Sequence, residues 1–180
     1  MSSLQGGVDC LVLDGGVLIE WFCWRYTVLA ERSWPANGFQ LRFLRSSGEM
    51  VAWERALRRY PGRTHMSAYA IAEVQRHVRD GERASRAHQV EFRRTCWRAV
   101  QEALRLCPVR EHHIVWTDLE EALLHDYGPA DASLVKLAQD LTREGRRPCI
   151  VTQDGALRNC CRRSDLHARD PHELIAPEML

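Results

Sequence analysis

The chain has no run of about 18 apolar residues, so no membrane-spanning helix is expected. Its opening, MSSLQGGVDCLVLDGG, has no basic stretch followed by a long apolar core. No secretory signal is expected, and the chain is read as cytoplasmic. There is no Cys-x-x-Cys pair, and the 7 cysteines are scattered and odd in number. That excludes a tidy disulfide framework or a zinc ribbon and fits free, mostly buried thiols. Lysine is almost missing: of 25 basic residues only Lys136 is lysine. Internal repeats and low-complexity stretches are absent. A net charge of +1 does not by itself point to a polyanion partner.

What is there is enough apolar sequence for one sizeable core. At 180 residues the chain is read as a single domain, 1–180. Charge is unevenly spread. Arginine is dense from Arg76 to Arg110, whereas Glu111 to Asp131 holds carboxylates and no Lys or Arg. A basic segment abutting an acidic one suits a protein that grips phosphate beside a cation-binding cluster; it also suits a helix with a solvated Arg face.

Val8 to Asp14 is near-continuously apolar and reads as a strand ending in a carboxylate. Gly15-Gly16 then allows a turn or a close approach, and Val17 to Ala30 reads as a helix. Ser33 to Ser47 is a loop region with a short helix around Phe39 to Arg45. Glu49 to Tyr60 reads as a helix stopped by Pro61-Gly62. His65 to Ser67 is a short strand whose Ser67 caps a helix to about Arg79. Asp80-Gly81 is expected to break it before a second helix to Leu106. His112 to Trp116 reads as a third strand, and Thr117-x-x-Glu120 as a capping box for a helix to about His125. Pro129 and Asp131 suit the first turn of the next helix, which Gly145 and Pro148 end. Cys149 to Thr152 is a buried strand, Ala156 to Cys161 a helix, Leu166 to Arg169 a last strand and Pro171 to Ile175 a closing helical turn. Alternating strands and helices predict an α/β fold: a three-layer α/β/α sandwich on a mostly parallel sheet of four to five strands. Helical elaborations are expected at about 31–63 and 82–110.

Four carboxylates stand at marked places. Asp14 and Asp154 follow strands, Asp131 opens a helix, and Glu73 lies on an otherwise apolar helix face. Ligands of open parallel sheets bind outside the carboxyl ends of the strands. Carboxylates converging there raise one another's pKa values, and a hard divalent cation relieves this. The natural chemistry is hydrolysis of a phosphodiester.

The segments LVLDGGVLIEWF, SAYAIAEV, PADASLVKLA and IVTQDGALRN, in this order and spacing, resemble the PIN-domain family of metal-dependent ribonucleases. The resemblance spans about Val8 to Ile175. It implies Mg²⁺ or Mn²⁺ held by Asp14, Glu73, Asp131 and Asp154, which would also be the catalytic set, with Thr152 as a supporting hydroxyl. It implies an RNA substrate and commonly a homodimer. The family includes toxins restrained by a cognate antitoxin. Gly15 and Gly16 replace the small hydroxyl or amide residues often found after the first Asp. That departure motivates an alternative, a catalytically weakened RNA-binding or protein-interaction module. Asn159 is a further supporting candidate. Arg93, Arg94, Trp97, Arg98 and Arg158 are candidate RNA contacts, Trp97 by stacking on a base.

Overall fold

The computed structural model describes residues 7–31, 43–85 and 88–178. The centre of the fold is β1 (Cys10–Leu13), four residues with no exposed surface. Its side chains alternate between two cores, as strand geometry requires. Leu11 and Leu13 join one, Cys10 and Val12 the other. Four further strands complete an all-parallel sheet: β2 (Thr64–Ser67), β3 (Arg110–His112), β4 (Pro148–Val151) and β5 (His167–Arg169). Their order is β3-β2-β1-β4-β5. The chain therefore builds outward from β1 on one side, then returns to its other side at β4. The β1–β4 seam is where the strand order reverses.

Helices cover both faces, giving the expected three layers. On one face lie α1 (Gly15–Ala30), α2 (Ser47–Arg58), α3 (Ala68–Ala84), α4 (Gln89–Leu106) and the short α7 (Pro171–Ile175). On the other lie α5 (Glu121–Arg143) and α6 (Gly155–Arg163). The larger core holds Trp21, Phe22, Phe43 and Trp53, with Trp53 edge-on to both Trp21 and Phe43. Truncating such a ring typically costs about 3–5 kcal/mol. All seven cysteines are buried and unpaired. Among the described residues no helix is long and apolar enough to cross a membrane.

Several sequence expectations are corrected. Asp80-Gly81 does not break the chain; α3 runs through it to Ala84. Gly81 is buried, and tertiary packing outweighs its helix penalty of about 1 kcal/mol. An Arg93–Glu82 ion pair of 2.9 Å then ties α3 to α4. The strand expected at His112–Trp116 lies earlier, at Arg110–His112. Thr117 and Glu120 form no capping box: Trp116–Asp118 is a 3-10 turn, and α5 starts at Glu121 with no side-chain cap. Burial of Leu119 draws the intervening backbone into an extended path. α5 kinks at Gly128 (φ 79°), so Pro129 does open its second half. The short helix expected around Phe39 to Arg45 falls largely outside the described residues, and Phe43 to Arg45 are not helical. The elaborations at about 31–63 and 82–110 contain α2 and α4.

Candidate active site

A parallel sheet ends all its strands at one edge, and here each adjoining helix brings a carboxylate there. Asp14 follows β1 and is the N-cap of α1, its Oδ1 accepting from the Gly16 N–H at 3.3 Å. Asp154 follows β4 and caps α6, its Oδ1 accepting from the N–H groups of Ala156 at 2.6 Å and Leu157 at 3.1 Å. Both therefore sit at the β1–β4 reversal, where open α/β sheets bind ligands. Glu73 comes from α3, one turn and a half beyond β2, and Asp131 from the first turn after the Gly128 kink. Together they line a cleft of about 500 Å³ with Gly16, Ile19, His77, Gln153 and Gly155.

Thr152 joins the two central acids. Its hydroxyl donates to Asp14 Oδ2 at 2.6 Å and accepts from the Asp154 N–H at 2.9 Å. It is fully buried, so its orientation is fixed. A second link, between the Ser133 and Ser67 hydroxyls at 2.7 Å, with Ser133 Oγ donating to the Ala130 carbonyl at 2.6 Å, ties the second half of α5 to the end of β2. Ser67 also caps α3 through the Ala70 N–H, as the sequence suggested.

The acids disturb one another. Burial is the main cause of a raised pKa at Asp14; Thr152 and the Gly16 N–H oppose it, and Asp154 adds to it. Burial raises Glu73, with Asp14 adding and Arg76 opposing. Asp131 is pushed up to about 7 by burial and then by Asp14, Asp154 and Glu73. Among the described residues the lining itself contains no Lys or Arg, and Arg76 offsets the charge only at Glu73. An all-oxygen donor set with unbalanced negative charge fits a hard divalent cation such as Mg²⁺ or Mn²⁺. Among the described residues no three His, Cys, Asp or Glu side chains are already drawn into a ready ligand set. The carboxylates surround an open cleft rather than a closed cage.

Gly15 has a specific reason to be glycine. A Cβ there would stand 2.1 Å from Glu73 Oε2, so the bare backbone is what admits that carboxylate beside Asp14. At Gly16 the same atom would meet Asp14 Oδ2 at an ordinary 3.7 Å.

The other expected residues do not join this cluster. Asn159 is exposed and accepts from Arg162 at 3.0 Å. Arg158 clamps the fold, donating to the Thr152 carbonyl at 2.8 Å and to Asp170 Oδ2 at 2.9 Å. Arg93, Arg94, Trp97 and Arg98 lie on α4, where Arg93 pairs with Glu82 and Arg98 with Glu102, each at 2.9 Å. Two cleft residues escaped the sequence reading, His77 and Gln153. His77 is one helical turn past Glu73 on the same face, a spacing that points to it. Gln153 adjoins Asp154, and its amide donates to Glu20 at 3.2 Å. Glu20 is a buried carboxylate whose other oxygen accepts from the Phe43 and Leu44 N–H groups, so the cleft wall is tied to α1 and to the segment before α2. Comparisons with protein-family models, with curated proteins and with solved structures find no match for this chain.

Proposed function

We propose that the chain is a divalent-metal-dependent endoribonuclease of the PIN-like type, hydrolysing RNA phosphodiester bonds. The single observation that carries this is the meeting of Asp14, Glu73, Asp131 and Asp154, from four separate chain segments, in one cleft at the sheet's carboxyl edge. Among the described residues the cleft has no Lys or Arg in its lining, so a bound cation is what allows an anionic phosphate to enter. When bound, Mg²⁺ or Mn²⁺ supplies Lewis-acid polarisation of the phosphate and lowers the pKa of attacking water. The four acids would hold the ion. Thr152 fixes the Asp14 carboxylate in one orientation, and the caps at Gly16, Ala156 and Leu157 do the same for Asp14 and Asp154. In the metal-free cleft the Asp131 carboxyl is pushed up to about 7 by burial and by Asp14, Asp154 and Glu73, the strain that a bound cation would relieve.

The close fit of Gly15 against Glu73 supports an intact site rather than a weakened one. Toxin action is a further part of this reading: overexpression should arrest growth and a small partner encoded beside the chain should relieve it. The direct test is cleavage of a mixed-sequence RNA oligonucleotide in Mn²⁺ and in EDTA. Activity is expected only with metal, and Asp14→Asn or Asp131→Asn should lower kcat by about 10²–10³-fold with the fold intact. Unchanged cleavage in both variants would sink the proposal. Millimolar Mn²⁺ should also raise the melting temperature of the native chain and not that of Asp14→Asn.

A further inference from the structure

At the same edge of the sheet as the acidic cleft two aromatic rings pair, one of them exposed. Trp116 lies just past the carboxyl end of β3, and Tyr69 just past that of β2, the neighbouring strand. Their ring centroids are 6.4 Å apart with planes tilted by 46°. Tyr69 is half-buried, whereas Trp116 is 56% exposed, and Val115 beside it 58%. A large ring left in water forgoes burial worth about 2 kcal/mol or more, so its position calls for a reason.

The helix geometry connects this pair to the site. Tyr69, Glu73 and His77 recur every fourth residue on α3 and so share one face. Glu73 and His77 line the cleft, and Tyr69 continues that face toward Trp116. The chain segment that carries Trp116 offers no cation of its own: Asp118 and Glu120 are exposed there, and no Lys or Arg occurs between Glu111 and Asp131. What the rim offers is a π face held firm by a second ring. Trp97 is a poorer platform: it is 36% exposed, and the arginines Arg93 and Arg98 near it are engaged with Glu82 and Glu102.

We propose that Trp116, backed by Tyr69, stacks on a nucleobase of single-stranded RNA adjacent to the nucleotide whose phosphate occupies the acidic cleft. This deepens the nuclease reading and rests on it. It makes the substrate unpaired RNA, because a base within a helix cannot offer its face to an exposed ring.

The test uses the full chain carrying Asp14→Asn, to prevent cleavage, and RNA oligonucleotides with 2-aminopurine at successive positions. One position should be quenched on binding. Trp116→Ala should abolish that quenching and weaken binding about 10-fold, Trp116→Phe should restore most of both, and Tyr69→Ala should fall between. In the cleavage-competent chain, Trp116→Ala should raise KM with little change in kcat. Melting curves of the Trp116 variants should overlay that of the parent chain, since that ring is exposed. Quenching and affinity indifferent to Trp116 would overturn the platform, as would equal binding of duplex RNA. So would a Trp116→Ala effect confined to oligomeric state, which would assign the rings to a protein contact. The two proposals fail separately: cleavage intact without Trp116-dependent quenching removes the platform alone. Trp116-dependent quenching with no metal-dependent cleavage removes the nuclease and leaves a single-strand binding site.

Discussion

The two edges of the sheet carry opposite charge. At the carboxyl edge Asp14, Glu73, Asp131 and Asp154 line a cleft that has no Lys or Arg among the described residues. At the amino edge Arg63 precedes β2, Arg110 opens β3, and Arg146 and Arg147 precede β4. None of these four arginines is in an ion pair among the described residues. An all-parallel sheet sorts by position, residues before strands at one end and residues after strands at the other; the signs come from the sequence, and Asp9 before β1 is an acid among the amino-edge arginines. The net charge of +1 conceals it. The helix N-termini at the carboxyl edge favour anions there, which partly offsets the clustering of carboxylates.

The two edges differ most sharply at a pair of glycines, one at each edge. Gly15→Ala would drive a methyl group to within 2.1 Å of Glu73 Oε2. The carboxylate must leave its place, so RNA cleavage should fall by about 10-fold or more, and overpacking should cost about 1–3 kcal/mol. Gly145, at the opposite edge, has φ +80°, and a Cβ added there would meet no atom within 4 Å. Gly145→Ala should cost about 1 kcal/mol through backbone strain and leave cleavage unchanged. Equal activity loss in both would mean that Gly15 acts through stability alone.

Most of the fold and the four acids were legible because both follow from local chemistry. Short β-branched runs ending in Asp, and helices opened by Ser67 and Pro129, place those residues at one edge whatever the distant packing. Thr152 was also legible, two residues before Asp154. What was not legible depends on tertiary contact. Gly81 looks like a break until its burial is seen, and Thr117-x-x-Glu120 looks like a cap until Leu119 is pulled inward. The Gly15–Glu73 contact spans two helices, so the glycines read as a departure rather than a fit. Arg158 is bound to Asp170, a partner across a loop that no local pattern indicates.

The edges should also pull stability in opposite directions with pH. In the metal-free protein Asp131 rises from 3.8 to about 7, so the folded state holds a proton that the unfolded chain gives up. Its contribution is present below pH ~4 and is lost as pH rises toward about 7. Asp131→Asn should therefore raise the melting temperature at pH 8 by about 3–6 °C and give no gain at pH 4. His65 behaves conversely. Its ring nitrogen Nδ1 lies 2.8 Å from His112 Nε2, and burial, then His112, Arg110 and Arg146, push its pKa down from 6.5 to about 4. Its contribution is present above pH ~6.5 and is lost as pH falls toward about 4. His65→Gln should flatten the acid limb of the melting profile and leave the alkaline limb as it was.

The smallest expected effect separates the edges most cleanly. Arg110 and Arg146 are the lesser causes of the His65 shift, after burial and His112. Replacing both with Gln should raise the His65 midpoint, followed by NMR of its ring protons, by a few tenths of a pH unit. The Asp131 midpoint should not move, because burial and the three neighbouring acids are what set it. At physiological salt, charges separated by more than about 8 Å are largely screened. A matched displacement of both midpoints would mean that the field of the amino edge reaches through the sheet. The arginines would then stabilise the carboxylate cluster directly, and the cleft would depend less on a bound cation than its own lining implies.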